Sequence, residues 1–181
     1  MFELTTENLT LLPPVESDCI AYLRFITVNR HAFARSEPTR SNAYYTLNNC
    51  KTFISDSLKL ASEDRGYRFF IRLKGEPEII GSIAVSNVIR GAFQAAHLGY
   101  KLSESEWRQG LMKEALSAFI PAAFQNLKLH RIMANYEGWN IGSEKLLSSL
   151  GFEEEGMAKE YLFLDGQWRD HILTSLINEK F

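Results

Sequence analysis

Two cysteines in 181 residues, Cys19 and Cys50, stand in no metal-ligand or redox spacing. A disulfide framework and a zinc site are therefore excluded, and both residues read as small semi-buried thiols. Proline is scarce at 5 residues, and the 11 glycines are scattered. No repeat, low-complexity stretch or linker marks a boundary, so residues 1–181 read as one domain. No apolar run approaches the roughly 20 residues of a membrane span. Neither sign of charge dominates: 20 basic residues oppose 22 acidic ones, for a net charge of -2. That excludes a polycationic coat, and no direct nucleic-acid or membrane partner is expected. Met1 to Glu7 lacks the basic start and apolar middle of a secretory signal, and the expected location is the cytoplasm.

What is present is an ordinary apolar fraction, 45%, in strongly patterned segments. Leu9–Leu12, closed by Pro13-Pro14, reads as a strand. A helix capped at Ser17 or Asp18 runs to about Asn29, with Ile20, Leu23 and Ile26 at helical spacing. Arg30 to Ala43 has no period and reads as loop. Thr46 to Ser62 is a second helix, with Leu47, Phe53, Ile54, Leu58 and Ala61 on one face. Three strands follow, Tyr67–Leu73, Ile79–Ile89 with a bulge expected at Gly81, and Gln94–Leu102. Gly110 to Leu127 is a helix, with a kink or break expected near Ser117–Phe119 because of Pro121. Arg131–Tyr136 is a strand, and Asn140 opens a helix that Gly151 ends. Glu153–Leu164 and Gln167–Leu176 form a hairpin about Asp165-Gly166. The strand–helix–strand piece around Gly110 implies one parallel pair in an otherwise antiparallel sheet. The fold class is α+β: a mixed, mostly antiparallel twisted sheet of about seven strands flanked by about four helices.

Chemistry concentrates between Leu98 and Glu114. A glycine at a helix start lets a ligand approach the backbone, and the free amides there favour an anion. Gly110 stands at such a start, with Arg108 and Lys113 adding positive charge. No Gly-Lys-Ser/Thr and no G-x-G-x-x-G follows, so neither nucleotide loop is present.

Further motifs stand in order behind it: Asn140-Ile141-Gly142-Ser143, Leu150-Gly151-Phe152, and Gly166-Gln167-Trp168-Arg169-Asp170-His171. Together with the Leu98-Gly99-Tyr100 strand, this ordered set resembles the GCN5-related N-acetyltransferases of the Rim type, the ribosomal-protein alanine N-acetyltransferases. The resemblance covers nearly the whole chain from Thr5. It implies acetyl-CoA as co-substrate without a metal. It also implies the N-terminal amine of a ribosomal protein, small-subunit protein S5, as acceptor, and a monomer or weak homodimer. Backbone at Leu98, Gly99 and Tyr100 would hold the pantetheine as an added strand. The amides of Arg108, Gln109, Gly110, Leu111 and Met112 would hold the pyrophosphate. Asn135 and Asn140 would contact the cofactor arm. Ser143 would protonate the leaving thiolate. The sequence departs from the family at Trp107 and Met112 in the loop, at Thr10 in the first strand, and at Leu147, where the wider superfamily often has a tyrosine acid.

Acetyl transfer also needs a neutral amine. An N-terminus has a pKa near 7.8, so neutralising it at pH 7 costs about 1 kcal/mol, against about 4.6 for a lysine. A weak base suffices: His97, Glu160 or water. Glu106 and Glu114 read as loop supports, His130 and His171 as structural, and the three tryptophans mainly as packing residues. Tyr136 and His31 read as rim or surface residues. Two other functions fit the residues, acetylation of a small-molecule amine and a non-catalytic acyl-CoA-binding or ribosome-interaction module.

Overall fold

Successive side chains of a strand point to opposite faces. Along Tyr67–Leu73, Phe69 and Ile71 go one way and Arg68, Phe70 and Arg72 the other, and Phe69, Phe70 and Ile71 are fully buried. A strand buried on both faces needs cover on both. The computed structural model, which describes all 181 residues, has that arrangement.

Eight strands form one sheet: β1 (Leu4–Thr5), β2 (Leu9–Leu12), β3 (Tyr67–Leu73), β4 (Gly81–Ile89), β5 (Ala95–Leu102), β6 (Arg131–Met133), β7 (Glu153–Leu164) and β8 (Gln167–Ile177). Their spatial order is β1-β2-β3-β4-β5-β6-β8-β7, and only β5 and β6 are parallel. Helices α1 (Cys19–Val28), α2 (Arg30–Phe33) and α3 (Leu47–Ser62) accompany one face. Their core joins Tyr22, Phe25 and Ile54 to Phe70. Helices α4 (Leu111–Leu127) and α5 (Ile141–Ser149) cover the other, where Phe119 packs edge-on against Phe69 at 5.0 Å.

The class, the single parallel pair and most boundaries agree with the sequence reading. The extra strand and helix are the two-residue β1 and the one-turn α2, too short to show a period. Three details differ. Helix α1 buries Cys19, Tyr22, Phe25 and Ile26, while Ile20 is 73% exposed. Aromatic packing, with Tyr22 stacked on Phe53 and Phe70, sets the face that the aliphatic spacing misplaced. Gly81 sits in regular register; a Cβ there would meet the Lys101 carbonyl oxygen at 2.8 Å, so close strand approach explains the glycine. The β4 irregularity lies between Ser86 and Ile89, where Asn87 has φ 50°. Helix α4 runs through Pro121 without a break, since its buried face, including Phe119, Ile120 and Ala123, holds the turn in place.

Two polar clamps fix α1 to the sheet. Arg72 donates to Asp18 at 2.6 Å and to the Pro77 carbonyl at 3.1 Å, an ion pair almost closed to solvent. At the other end, buried Asn29 donates to Ser103 Oγ and accepts from the Glu104 amide. Cys19 and Cys50 are both buried, and burial followed by the neighbouring Cys19 pushes the Cys50 thiol up to about 11. No helix is long and apolar enough to cross a membrane.

Candidate active site

The parallel pairing of β5 and β6 covers only Ala95–His97 against Arg131–Met133. Beyond it, β6 leans to β8 through Ala134 N–Thr174 O and the Tyr136–Ile172 bridge. From Leu98 onward the β6-side edge of β5 therefore has no partner strand. Exposed strand amides and carbonyls accept an added extended chain, which fits the expectation for Leu98, Gly99 and Tyr100.

Below this edge lies the start of α4. Arg108 and Gly110 both have positive φ, 63° and 81°. The backbone amides from Arg108 to Lys113 donate to no group within the chain, and the first helical bond is Glu114 N to Gly110 O. These free donors, with the Arg108 and Lys113 side chains nearby, suit a pyrophosphate. Gln109 contributes backbone only, because its side chain donates to the Ser105 carbonyl and Glu106. Trp107 donates to the Leu102 carbonyl at 2.9 Å, tying the loop back to β5. Glu106 thus supports the loop. Glu114 braces the β1–β2 turn instead, accepting from the Thr6 hydroxyl and from Asn8. Burial raises that carboxyl, and the three hydrogen bonds more than offset it, leaving it below its ordinary value.

Two cavities meet beside the open edge. One, about 620 Å³, is lined by Arg108, Gly110, Leu111 and Met112 on the α4 side and by Arg35 opposite. The other, about 400 Å³, lies over the face carrying α1 and α3 and includes Arg68, Leu98, Gly99, Asn135 and Glu137. Tyr100, Lys101, Trp139, Asn140, Ser143 and Ser36 line both. Asn140 caps α5, its side-chain oxygen accepting from the Ser143 amide at 3.1 Å. The Ser143 hydroxyl is left to face the junction. There the buried Tyr100 hydroxyl has no hydrogen-bond partner of good geometry. Burial pushes it up to about 12, and the nearby Ser143 side chain partly offsets this. Leu147 is 1% exposed and closes the wall without a proton to give.

The base candidates fare differently. His97 lines neither cavity. Its Nδ1 is buried without a partner, its Nε2 lies 3.5 Å from the Tyr161 hydroxyl, and burial lowers its pKa, so it is neutral at pH 7. Glu160 is exposed on a β7 bulge, with its amide donating to Asp170, and also lines neither cavity. The physical reason is the bulge between Ala158 and Leu162, which swings Glu160 to φ 49°. Asn135 lies in the α1–α3-side cavity rather than beside the amides of α4, and its side chain joins Tyr161 and the Thr174 amide. Asp170 binds Glu160, while His171 bonds the Arg169 carbonyl. Trp139 is a wall of both cavities, with the Arg35 guanidinium 3.7 Å above its ring.

Sequence reasoning missed Glu137, Arg68 and the Lys101–Glu37 ion pair of 2.7 Å. Glu137 is 8% exposed and is the buried carboxylate of the smaller cavity, 4.0 Å from Arg169. Its place between Tyr136 and Asn140, both already of interest, was the available signal.

An acetyltransferase (GNAT) domain model matches residues 8–153. The chain is 38% identical over 173 residues to the [ribosomal protein uS5]-alanine N-acetyltransferase of Escherichia coli (strain K12), covering 96% of this chain and 89% of that one. A solved ribosomal-protein-S5-alanine acetyltransferase from Vibrio fischeri shares the fold at TM-score 0.94 and 36% identity, covering 99% of this chain and 98% of that one. Mycobacterium smegmatis RimJ, solved in complex with CoA-disulfide, matches at TM-score 0.92 and 28% identity, covering 99% and 88%.

Proposed function

Because the chain belongs to the GNAT acetyltransferase family, we propose that it moves the acetyl group of acetyl-CoA to the N-terminal alanine amine of ribosomal protein S5. The observation that carries this reading is the meeting of two cavities at Ser143 and Tyr100 beside the open β5 edge. One cavity holds free amides for a diphosphate, and the other has room for a chain end.

When bound, acetyl-CoA supplies an activated thioester carbonyl. The β5 edge from Leu98 to Tyr100 holds the pantetheine arm in line, and the Arg108–Lys113 amides anchor the diphosphate. Gly99 leaves space over the strand, since a Cβ there would meet nothing within 4 Å. The acceptor amine enters over that space. Glu137 or an ordered water takes the amine proton. Neutralisation costs only about 1 kcal/mol at pH 7, so a strong base is not required. A β5 amide polarises the carbonyl, and the Ser143 hydroxyl, with Tyr100 beside it, delivers a proton toward the departing sulfur.

The test is turnover of acetyl-CoA with a peptide matching the start of S5 after removal of its methionine, followed by mass mapping. Acetylation at the α-amine is expected, with internal lysines lagging. Mainly lysine acetylation, or turnover confined to small amines, would overturn the reading.

A further inference from the structure

Arg68 lines the smaller cavity, and the group it stacks on is the partly buried Phe53 ring. Its guanidinium lies 4.5 Å from the Phe53 ring centroid and makes no hydrogen bond or ion pair. Neither carboxylate of the cavity bonds it: Glu37 pairs with Lys101 at 2.7 Å, and Glu137, 4.0 Å from Arg169, makes no ion pair with Arg68. Burial pulls the Arg68 pKa down, and the nearby Tyr22, Tyr44 and Glu37 side chains partly offset this. Arg68 is half-buried at the cavity wall; a guanidinium so placed is a ready partner for a carboxylate or phosphate, and its planar fork suits carboxylate in particular. Arg40, stacked on Tyr44, adds a second cation without an anionic partner to the same cavity.

Position fixes the distance. Arg68 pairs with Ala84, and Ala84 pairs with Gly99, so the three form one row across β3, β4 and β5. Arg68 and Gly99 are thus two strand spacings apart, about 9–10 Å. A chain whose first nitrogen sits over Gly99 advances at most about 3.6 Å per residue. An acidic side chain on its second to fourth residue reaches Arg68. A carboxylate on the amine-bearing carbon itself lies too near.

We propose that Arg68 is a specificity-determining residue that receives an Asp or Glu side chain at the second to fourth position of the acceptor chain. This rests on the N-terminal acetylation proposed above. The cavity as a whole sets Arg40, Arg68 and Lys101 against Glu37 and Glu137, a positive balance that disfavours polyamine-type acceptors.

The experiment uses the full-length protein and alanine-first peptides carrying a single Glu at position two, three or four. Each is paired with its Gln counterpart, and kcat and KM are measured separately. In wild type, Glu→Gln at one of these positions should lower kcat/KM by about ten- to a hundredfold, mainly through KM. Arg68→Gln should abolish that preference while leaving acetyl-CoA affinity unchanged, and Arg68→Lys should restore part of it. A purely structural Arg68 would instead weaken all peptides alike. Wild type that uses Glu and Gln peptides equally at all three positions overturns this proposal and leaves N-terminal acetylation standing. Wild type that acetylates no peptide terminus overturns both. The peptide comparison needs no variant, so a failure of Arg68→Gln to fold does not blunt it.

Discussion

Replacing Ser143 by alanine separates a catalytic hydroxyl from a structural one with unusual clarity. In many helices the serine three residues into the motif would satisfy free amides, and its loss would be felt as lost stability. Here that task belongs to Asn140, whose side chain accepts from the Ser143 amide at 3.1 Å. The Ser143 hydroxyl makes no such bond, is half-buried, and lines both cavities. Its removal should therefore change stability by no more than about 0.5 kcal/mol. That is a Tm change within about 2 °C for a chain of this size. If the hydroxyl protonates the leaving thiolate, kcat should fall about 10²-fold or more, roughly 2.7 kcal/mol of barrier. Acetyl-CoA affinity should hold, because the diphosphate and pantetheine contacts are untouched. Asn140→Ala should show the opposite balance in stability, losing about 0.5–2 kcal/mol through the cap. The assay is steady-state turnover at saturating acetyl-CoA and peptide, beside a thermal melt of each variant. Wild-type kcat in Ser143→Ala would refute the assignment and pass the proton to the Tyr100 hydroxyl, which Tyr100→Phe then tests.

Acetyl-CoA at a hundred times its Kd should stabilise the protein by about 2.7 kcal/mol, read as a rise in Tm. Gly110→Val should suppress that rise, since φ 81° strains a branched side chain at the loop the diphosphate needs; an undiminished shift would refute it. Arg72→Leu should cost about 3–5 kcal/mol in chemical denaturation by leaving Asp18 buried and uncompensated, and a loss below 1 kcal/mol would show the pair to be dispensable. Asp64 and Glu155 are held below their ordinary values, chiefly by hydrogen bonds from Arg90 and Arg131. Depressed carboxyls contribute stability that is whole above their unfolded values and is lost as pH falls through the folded ones. The Tm should therefore decline below about pH 4–5; Asp64→Asn should flatten that limb, and an unchanged slope would exclude the Arg90 contact as its cause.

Much of the fold was legible because its signals are local. The hairpin turn Asp165-Gly166 has positive φ at both residues, 49° and 74°, the geometry its sequence demands. Gly151 at φ 86° ends α5, with the Phe152 amide returning to the Leu147 carbonyl. Where the reading slipped, a tertiary effect had overruled a local one. Ile20 matches a helical stripe, yet the stacked aromatics Tyr22, Phe53 and Phe70 choose the buried face. Gly81 looks like a bulge from sequence, but its reason is the Lys101 carbonyl of the neighbouring strand.

The two halves of the site differ in the same way. The diphosphate half is built within one stretch, where a left-handed glycine and a helix start leave consecutive amides free, so its residue types announce it. The proposed acceptor half draws Arg68 from β3, Glu37 from the segment after α2, Gly99 from β5 and Glu137 from the loop after β6. No spacing along the chain links these residues; only the sheet order does. The parting of β5 from β6 joins the halves, because one unpaired edge is reached from both faces of the sheet. A single hydroxyl can face both cavities only from that edge, which is where α5 places Ser143, the proposed proton donor. On the proposed assignment, donor binding is encoded locally, whereas acceptor choice is set by long-range packing. Substitutions at Arg68 should consequently change which chain end is acetylated while leaving acetyl-CoA binding intact.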